Sequence, residues 1–153
     1  MPKIDAKIQL QKVEIEKFQF TEHALHQQEI DPKKFEFQFR VEMRVSDIEQ
    51  TISSRFIVNL FEKIDEHVKN PVVELVLINE IKILNFSDVI KKDDEALSIP
   101  DQLLHLFNSL VLGHARGIMA AKLQDTPYSK ALIPLIDIKV LAPPSNIPLK
   151  SSP

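Results

Sequence analysis

From Phe35 to Val45 the chain alternates without a break. Phe35, Phe37, Phe39, Val41, Met43 and Val45 hold one parity, and Glu36, Gln38, Arg40, Glu42 and Arg44 hold the other. A β-strand turns successive side chains to opposite faces, so this stretch has one dry face and one charged, wet face. That is the pattern of an antiparallel sheet covered on one side only. Fully burying one such apolar side chain is worth roughly 1.5–3 kcal/mol, which fixes the register firmly. The rest of the chain must supply more strands and something to lay over the dry face.

The cover is predicted between Ser98 and Leu123, the longest helix-compatible run. Leu103, Leu104, Phe107, Leu110, Val111, Ala115, Ile118 and Met119 recur at spacings of three and four and form one apolar face. Ser98 is expected to N-cap, with Pro100 in the first turn and Asp101 completing an S-x-x-D start. The chain's two glycines, Gly113 and Gly117, both fall inside this helix, where each costs about 1 kcal/mol relative to alanine. With Ser109 and Ala121 they make a stripe of small residues four apart, expected to be a close helix contact within the chain or, as an oligomer contact, between subunits.

The remaining strands are read in order. Residues 6–20 are extended, with Ile8 and Leu10 on one parity, Val13 and Ile15 on the other, and Phe18 and Phe20 back on the first. Such slips predict bulges or a bend. Residues 50–63 carry Ile52, Phe56, Val58 and Leu60 on one face; residues 72–86 carry Val73, Leu75, Leu77, Ile81 and Ile83, interrupted by Asn79. Residues 87–97, with KKDDE, are expected to be a solvated connector, and 130–141 an extended arm around Pro134. The fold class predicted is α+β: a four-stranded antiparallel sheet with one long helix packed on it. Residues 1–142 are expected to form a single domain, and the Pro/Ser-rich residues 143–153 a flexible tail.

Chemistry is sparse. Without cysteine there is no thiol nucleophile or thiolate metal site, and with both glycines helical there is no Gly-rich phosphate cradle. His23 and His26 beside Glu22 lack a second cluster to complete a metal site. His114 is expected to be an interface or capped polar residue and His67 a solvated one. Neither G-x-S-x-G nor H-E-x-x-H occurs. A net charge of −3 and scattered basic residues argue against nucleic acid, and no apolar run is long enough for membrane insertion. The N-terminal stretch lacks the apolar core of a signal peptide, so the expected location is cytoplasmic. The expectation is a non-enzyme without cofactor or metal. The surplus of apolar strand surface fits a generous core, a dimer interface or, as the sharper reading, a groove for extended apolar peptides, with Ile8, Leu10, Val13, Ile15, Phe18 and Phe20 as peptide-binding residues.

This layout resembles that of the SecB-type export chaperones and their wider SecB-like group, across roughly residues 8–140. Ile99-Pro100 followed by Leu103 and Leu104 is similar to the proline-led opening of that family's helix. Arg116-Gly117, followed by Thr126-Pro127 and by Leu132-Ile133-Pro134, is similar to its Arg-Gly and the extended stretch beyond. The family's second, C-terminal helix has no counterpart here, and its strong acidity is missing. The resemblance implies an ATP-independent holdase for unfolded or nascent polypeptides, assembled as a homo-tetramer through the helices. It also implies docking of a translocase motor on acidic sheet residues, for which Glu14, Glu16, Glu36 and Glu42 fit by chemistry. A single-partner interaction module, such as a toxin–antitoxin-type chaperone, fits the same residues. A hot-dog thioesterase has its helix before its strands, the reverse of the order here.

Overall fold

Four long strands dominate the computed structural model, which describes residues 5–21, 29–136 and the strand Asn146–Pro148. They are β1 (Ile8–Phe20), β2 (Phe35–Ser46), β3 (Thr51–Lys63) and β4 (Lys69–Ile83). All neighbours are antiparallel, in the order β1-β4-β3-β2, which leaves β1 and β2 on the edges. The predicted α+β class holds: the long helix α2 (Asp101–Leu123) follows the sheet and packs on β3 and β4.

The dry face is built by register. Val73, Leu75, Leu77 and Ile81 of β4 lie opposite Leu60, Val58, Phe56 and Ile52 of β3, and all eight are buried beneath α2. From the helix, Leu103, Leu104, Phe107, Val111, Ala115 and Met119 complete this core. Two members of the predicted helical face, Leu110 and Ile118, instead sit at its margin, while Leu112 and Asn108 are buried. The dry side of β2 is only partly covered, because β2 is an edge strand. There Phe37, Phe39 and Phe56 stack in a row with ring centroids 6.0 and 5.9 Å apart.

Strand β1 explains its own slipped parity. The pairing with β4 shifts between Leu10 and Lys12 and again between Ile15 and Lys17. Each bulge turns two consecutive residues, Gln11-Lys12 and Glu16-Lys17, away from the helix. The steps of two, three, two, three and two residues between Ile8, Leu10, Val13, Ile15, Phe18 and Phe20 therefore bring all six to one face.

Several expectations are corrected. Ser98 does not cap α2: it belongs to strand β6 (Ala96–Ser98), and the helix starts after Pro100 without a side-chain cap. The Pro100 carbonyl instead accepts from the Leu103 and Leu104 amides. The connector at 87–97 is not simply solvated. A short helix α1 (Phe86–Val89) buries Phe86 and Val89, and Ile90 and Leu97 are buried with them. β6 also pairs with β5 (Lys91–Lys92) and with β7 (Asn146–Pro148), so part of the segment expected to be a flexible tail is a strand. His23 and His26 lie outside the described residues.

The far end of the helix is tied back to the sheet. Asp125, with φ of 66°, turns the chain after α2, and Tyr128 buries its ring against Phe20 at 5.8 Å and Phe35 at 6.0 Å. Its hydroxyl donates to Oε2 of the buried Glu62 at 3.3 Å. These roles set two expectations for urea denaturation. Phe56→Ala, at a fully buried ring, should cost about 3–5 kcal/mol. Ser98→Ala, at a residue that caps nothing, should change stability by less than about 0.5 kcal/mol.

Candidate functional site

The site follows from how α2 lies beside β1. At its first turns Leu103 and Leu106 share a shallow pocket with Ala6 and Ile8, of about 230 Å³. At its last turn the Lys122 ammonium stands 5.5 Å over the Phe18 ring. The helix therefore runs alongside β1 in the same sense. The residues on the edge facing β1 are the i, i+4 row Leu106, Leu110, His114, Ile118 and Lys122.

Between helix and strand the apolar surface stays open. Of the β1 residues, Ile8, Phe18 and Phe20 are partly buried against the core. Leu10, Val13 and Ile15 are 47, 43 and 41 % exposed, and Leu106 and Leu110 across from them are 58 and 36 % exposed. Together they line a shallow, largely apolar trough between the Leu106–Ile8 hollow at one end and the Lys122–Phe18 contact at the other. The opposite helix edge is occupied. Arg116, two residues after His114, donates from Nε to the Ile133 carbonyl at 3.3 Å and from its guanidinium to that of Pro134 at 2.8 Å. Of the arm expected at 130–141, the described residues 130–136 thus lie along the side away from β1, with Ala131 and Ile133 buried.

One polar contact interrupts the trough. His114 Nδ1 meets Oδ1 of Asn79 at 2.6 Å. Asn79 is wholly buried, opposite Val13 on one side and Ser54 on the other, and neither its Nδ2 nor Ser54 Oγ has a partner among the described residues. The sequence flags Asn79 only as a break in an apolar run, and His114 only as an interface or capped polar residue. The fold is what joins them.

The small-residue stripe lies on the solvent side of α2. Ser109, Gly113, Gly117 and Ala121 are all exposed, and a Cβ built on either glycine meets nothing within 4 Å. The stripe therefore answers no need for close packing within the described part of this chain. It adjoins the trough, so the two candidate sets, oligomer contact and peptide binding, occupy one continuous surface.

The wet face of the sheet is a lattice of ion pairs. Glu14 pairs with Lys12, Glu16 and Glu42 with Arg55, Glu36 with Lys69, and Glu42 also with Arg40. Lys17 meets Glu74 at 2.9 Å, and Ser53 donates to Glu80. Each of the four carboxylates expected to dock a motor thus already has a cation. A shallow hollow of about 380 Å³ over Arg44, Ser53, Arg55 and Ile78 lies among them. Among the described residues no group of His, Asp and Glu is placed to hold a metal, and no helix is long and apolar enough to cross a membrane.

No family model matches this chain, and no curated protein matches it.

The wet-face pairs carry a pH dependence. The hydrogen bond from Lys69 holds the Glu36 carboxyl below its ordinary range, and those from Arg55 and then Arg40 do the same for Glu42. Lys92 lowers Asp47 likewise. Groups lowered in the folded state stabilise it above the ordinary carboxylate range, and that contribution is lost as pH falls through the lowered values. The urea midpoint should therefore drop on acidification between about pH 5 and pH 3. Glu42→Gln should flatten part of the drop, and molar salt should shrink it, since these pairs are exposed and screened.

Proposed function

We propose that this protein is an ATP-independent holdase that binds apolar segments of non-native polypeptides in the trough between β1 and α2. The observation that carries this reading is the exposure of Leu10, Val13 and Ile15 beside Leu106 and Leu110, an apolar strip left uncovered among the described residues. Aliphatic side chains give contact without demanding a particular sequence, which suits clients that share only their apolar character. The element order of four strands, long helix and extended arm supports kinship with the SecB-like group. So does the Arg116 hold on the Ile133-Pro134 stretch. Such a holdase would work in the cytoplasm on unfolded or nascent chains.

The stripe of Ser109, Gly113, Gly117 and Ala121 supports assembly, in this reading a homo-tetramer. Two helical glycines with open space around them cost stability in a lone chain, and a second helix backbone approaching there would offset it. Assembly also multiplies weak trough contacts, since a client held at one site meets the next at high local concentration. A translocase motor as downstream partner would meet carboxylates that are already paired, so docking there would exchange ion pairs and not neutralise a bare acidic patch.

A second reading has one observation in its favour. The His114–Asn79 contact sets a directional polar group in an otherwise aliphatic floor, as a module with a single dedicated partner would use.

Two measurements test the proposal. The protein should suppress aggregation of a chemically unfolded test protein near stoichiometric ratio without ATP. Val13→Asp combined with Ile15→Asp should abolish that suppression while leaving the fold intact by circular dichroism. Suppression unaffected by the double variant would remove the trough from the mechanism. Gly117→Leu should lower the oligomer mass in light scattering while raising the stability of the subunit by about 1 kcal/mol, because leucine favours helix. An unchanged mass would show that the stripe is no subunit contact.

A further inference from the structure

We propose that His114 presents one directional hydrogen-bond acceptor, its Nε2, at the midpoint of the trough, and that this atom reads a main-chain N–H of an extended segment lying along β1. The inference rests on the trough being a polypeptide site and names what selects there.

The tautomer follows from the partner. With the Asn79 amide set so that Oδ1, which can only accept, faces Nδ1 at 2.6 Å, the geometry assigns the proton to His114 Nδ1. In the neutral ring Nε2 then carries a bare lone pair. The two ring nitrogens diverge, so with Nδ1 turned to the sheet floor, Nε2 is turned from it. Nε2 has no partner among the described residues, and His114 is half-exposed. Asn79 is wholly buried between Val13 and Ser54 in register, so the ring is held from below by a buried amide.

Position does the rest. His114 is the central member of the row from Leu106 to Lys122, whose ends are set against Ile8 and Phe18. The exposed trough residues near it, Leu10, Val13, Ile15 and Leu110, are aliphatic. A segment laid in this trough loses water along its length and meets one acceptor near the middle. The donor that every residue except proline can offer is its peptide N–H. A site built on it would accept many sequences and reject a proline at one position. A side-chain donor would instead confine clients to a few residue types.

The test uses the full chain and a fluorescein-labelled nonapeptide of alternating leucine and threonine, with a set of the same peptide N-methylated at each position in turn. Against the unmodified protein, N-methylation at one central position should weaken binding about tenfold, the usual scale for a buried hydrogen bond left unmade. Against His114→Phe the parent peptide should bind about tenfold more weakly and the N-methyl effect should vanish. His114→Gln, whose amide can donate to Asn79 and still accept from a peptide, should retain the positional effect. A scan without a sensitive position, or one equally sensitive in His114→Phe, overturns the proposal and leaves the trough standing. If the parent peptide fails to bind and Val13→Asp with Ile15→Asp leaves aggregation suppression unchanged, the trough itself falls and the proposal with it. Should His114→Phe not fold, the scan on the unmodified protein and His114→Gln decides alone.

Discussion

One helix is narrower than the sheet it has to cover. An α-helix with its side chains is about 10–12 Å across, whereas four strands spaced about 4.8 Å apart span roughly 14 Å between outer axes, before side chains are added. Laid over the centre, α2 seals β3 and β4 and leaves both edge strands partly bare. The chain treats its two margins differently. Along the helix edge away from β1 it brings back the arm, fastened by Arg116 to two carbonyls. Along β1 it adds no cover among the described residues, and the trough is what remains. The candidate site is thus a consequence of layer widths, with the apolar residues of β1 kept where a polar substitution would have cost the fold little.

That asymmetry also separates the two faces of the sheet as surfaces. On the wet face many of the long charged side chains have found an opposite partner, so the field of those pairs is short-ranged. On the dry side the surplus is apolar, broken by the His114 imidazole over Asn79. Recognition at the first face would work by exchanging charges. At the second it would work by excluding water, with geometry supplied by one atom.

Much of this was legible in the residues. Strict alternation in β2, the slipped parity of β1 and the i, i+4 run of α2 each reflect a local period, and each is where the structure has it. The six β1 residues singled out for peptide binding do share a face, because two bulges restore the phase. What could not be read was tertiary. Ser98 looks like an N-cap until β6 claims it for pairing. The charged run KKDDE hides the buried Val89, Ile90 and Leu97 on either side of it. Asn79 and His114 lie 35 residues apart, and nothing in either neighbourhood announces the other. The exposure of Leu10, Val13 and Ile15 was likewise invisible, since periodicity assigns a residue to a face without saying whether anything lies over it.

The bulges of β1 have a further consequence for a protein that keeps apolar side chains in water. An edge strand offers a second sheet a row of free amides and carbonyls, and a flat one invites open-ended stacking of copies. At Gln11 and again at Glu16 an extra residue breaks that row, so a straight foreign strand can match it only over a few residues before losing step. Stickiness is thereby confined to side chains, where contacts are weak and reversible, and withheld from the backbone, where they would propagate. β1 can keep its aliphatic face in water and still resist seeding a fibre of its own.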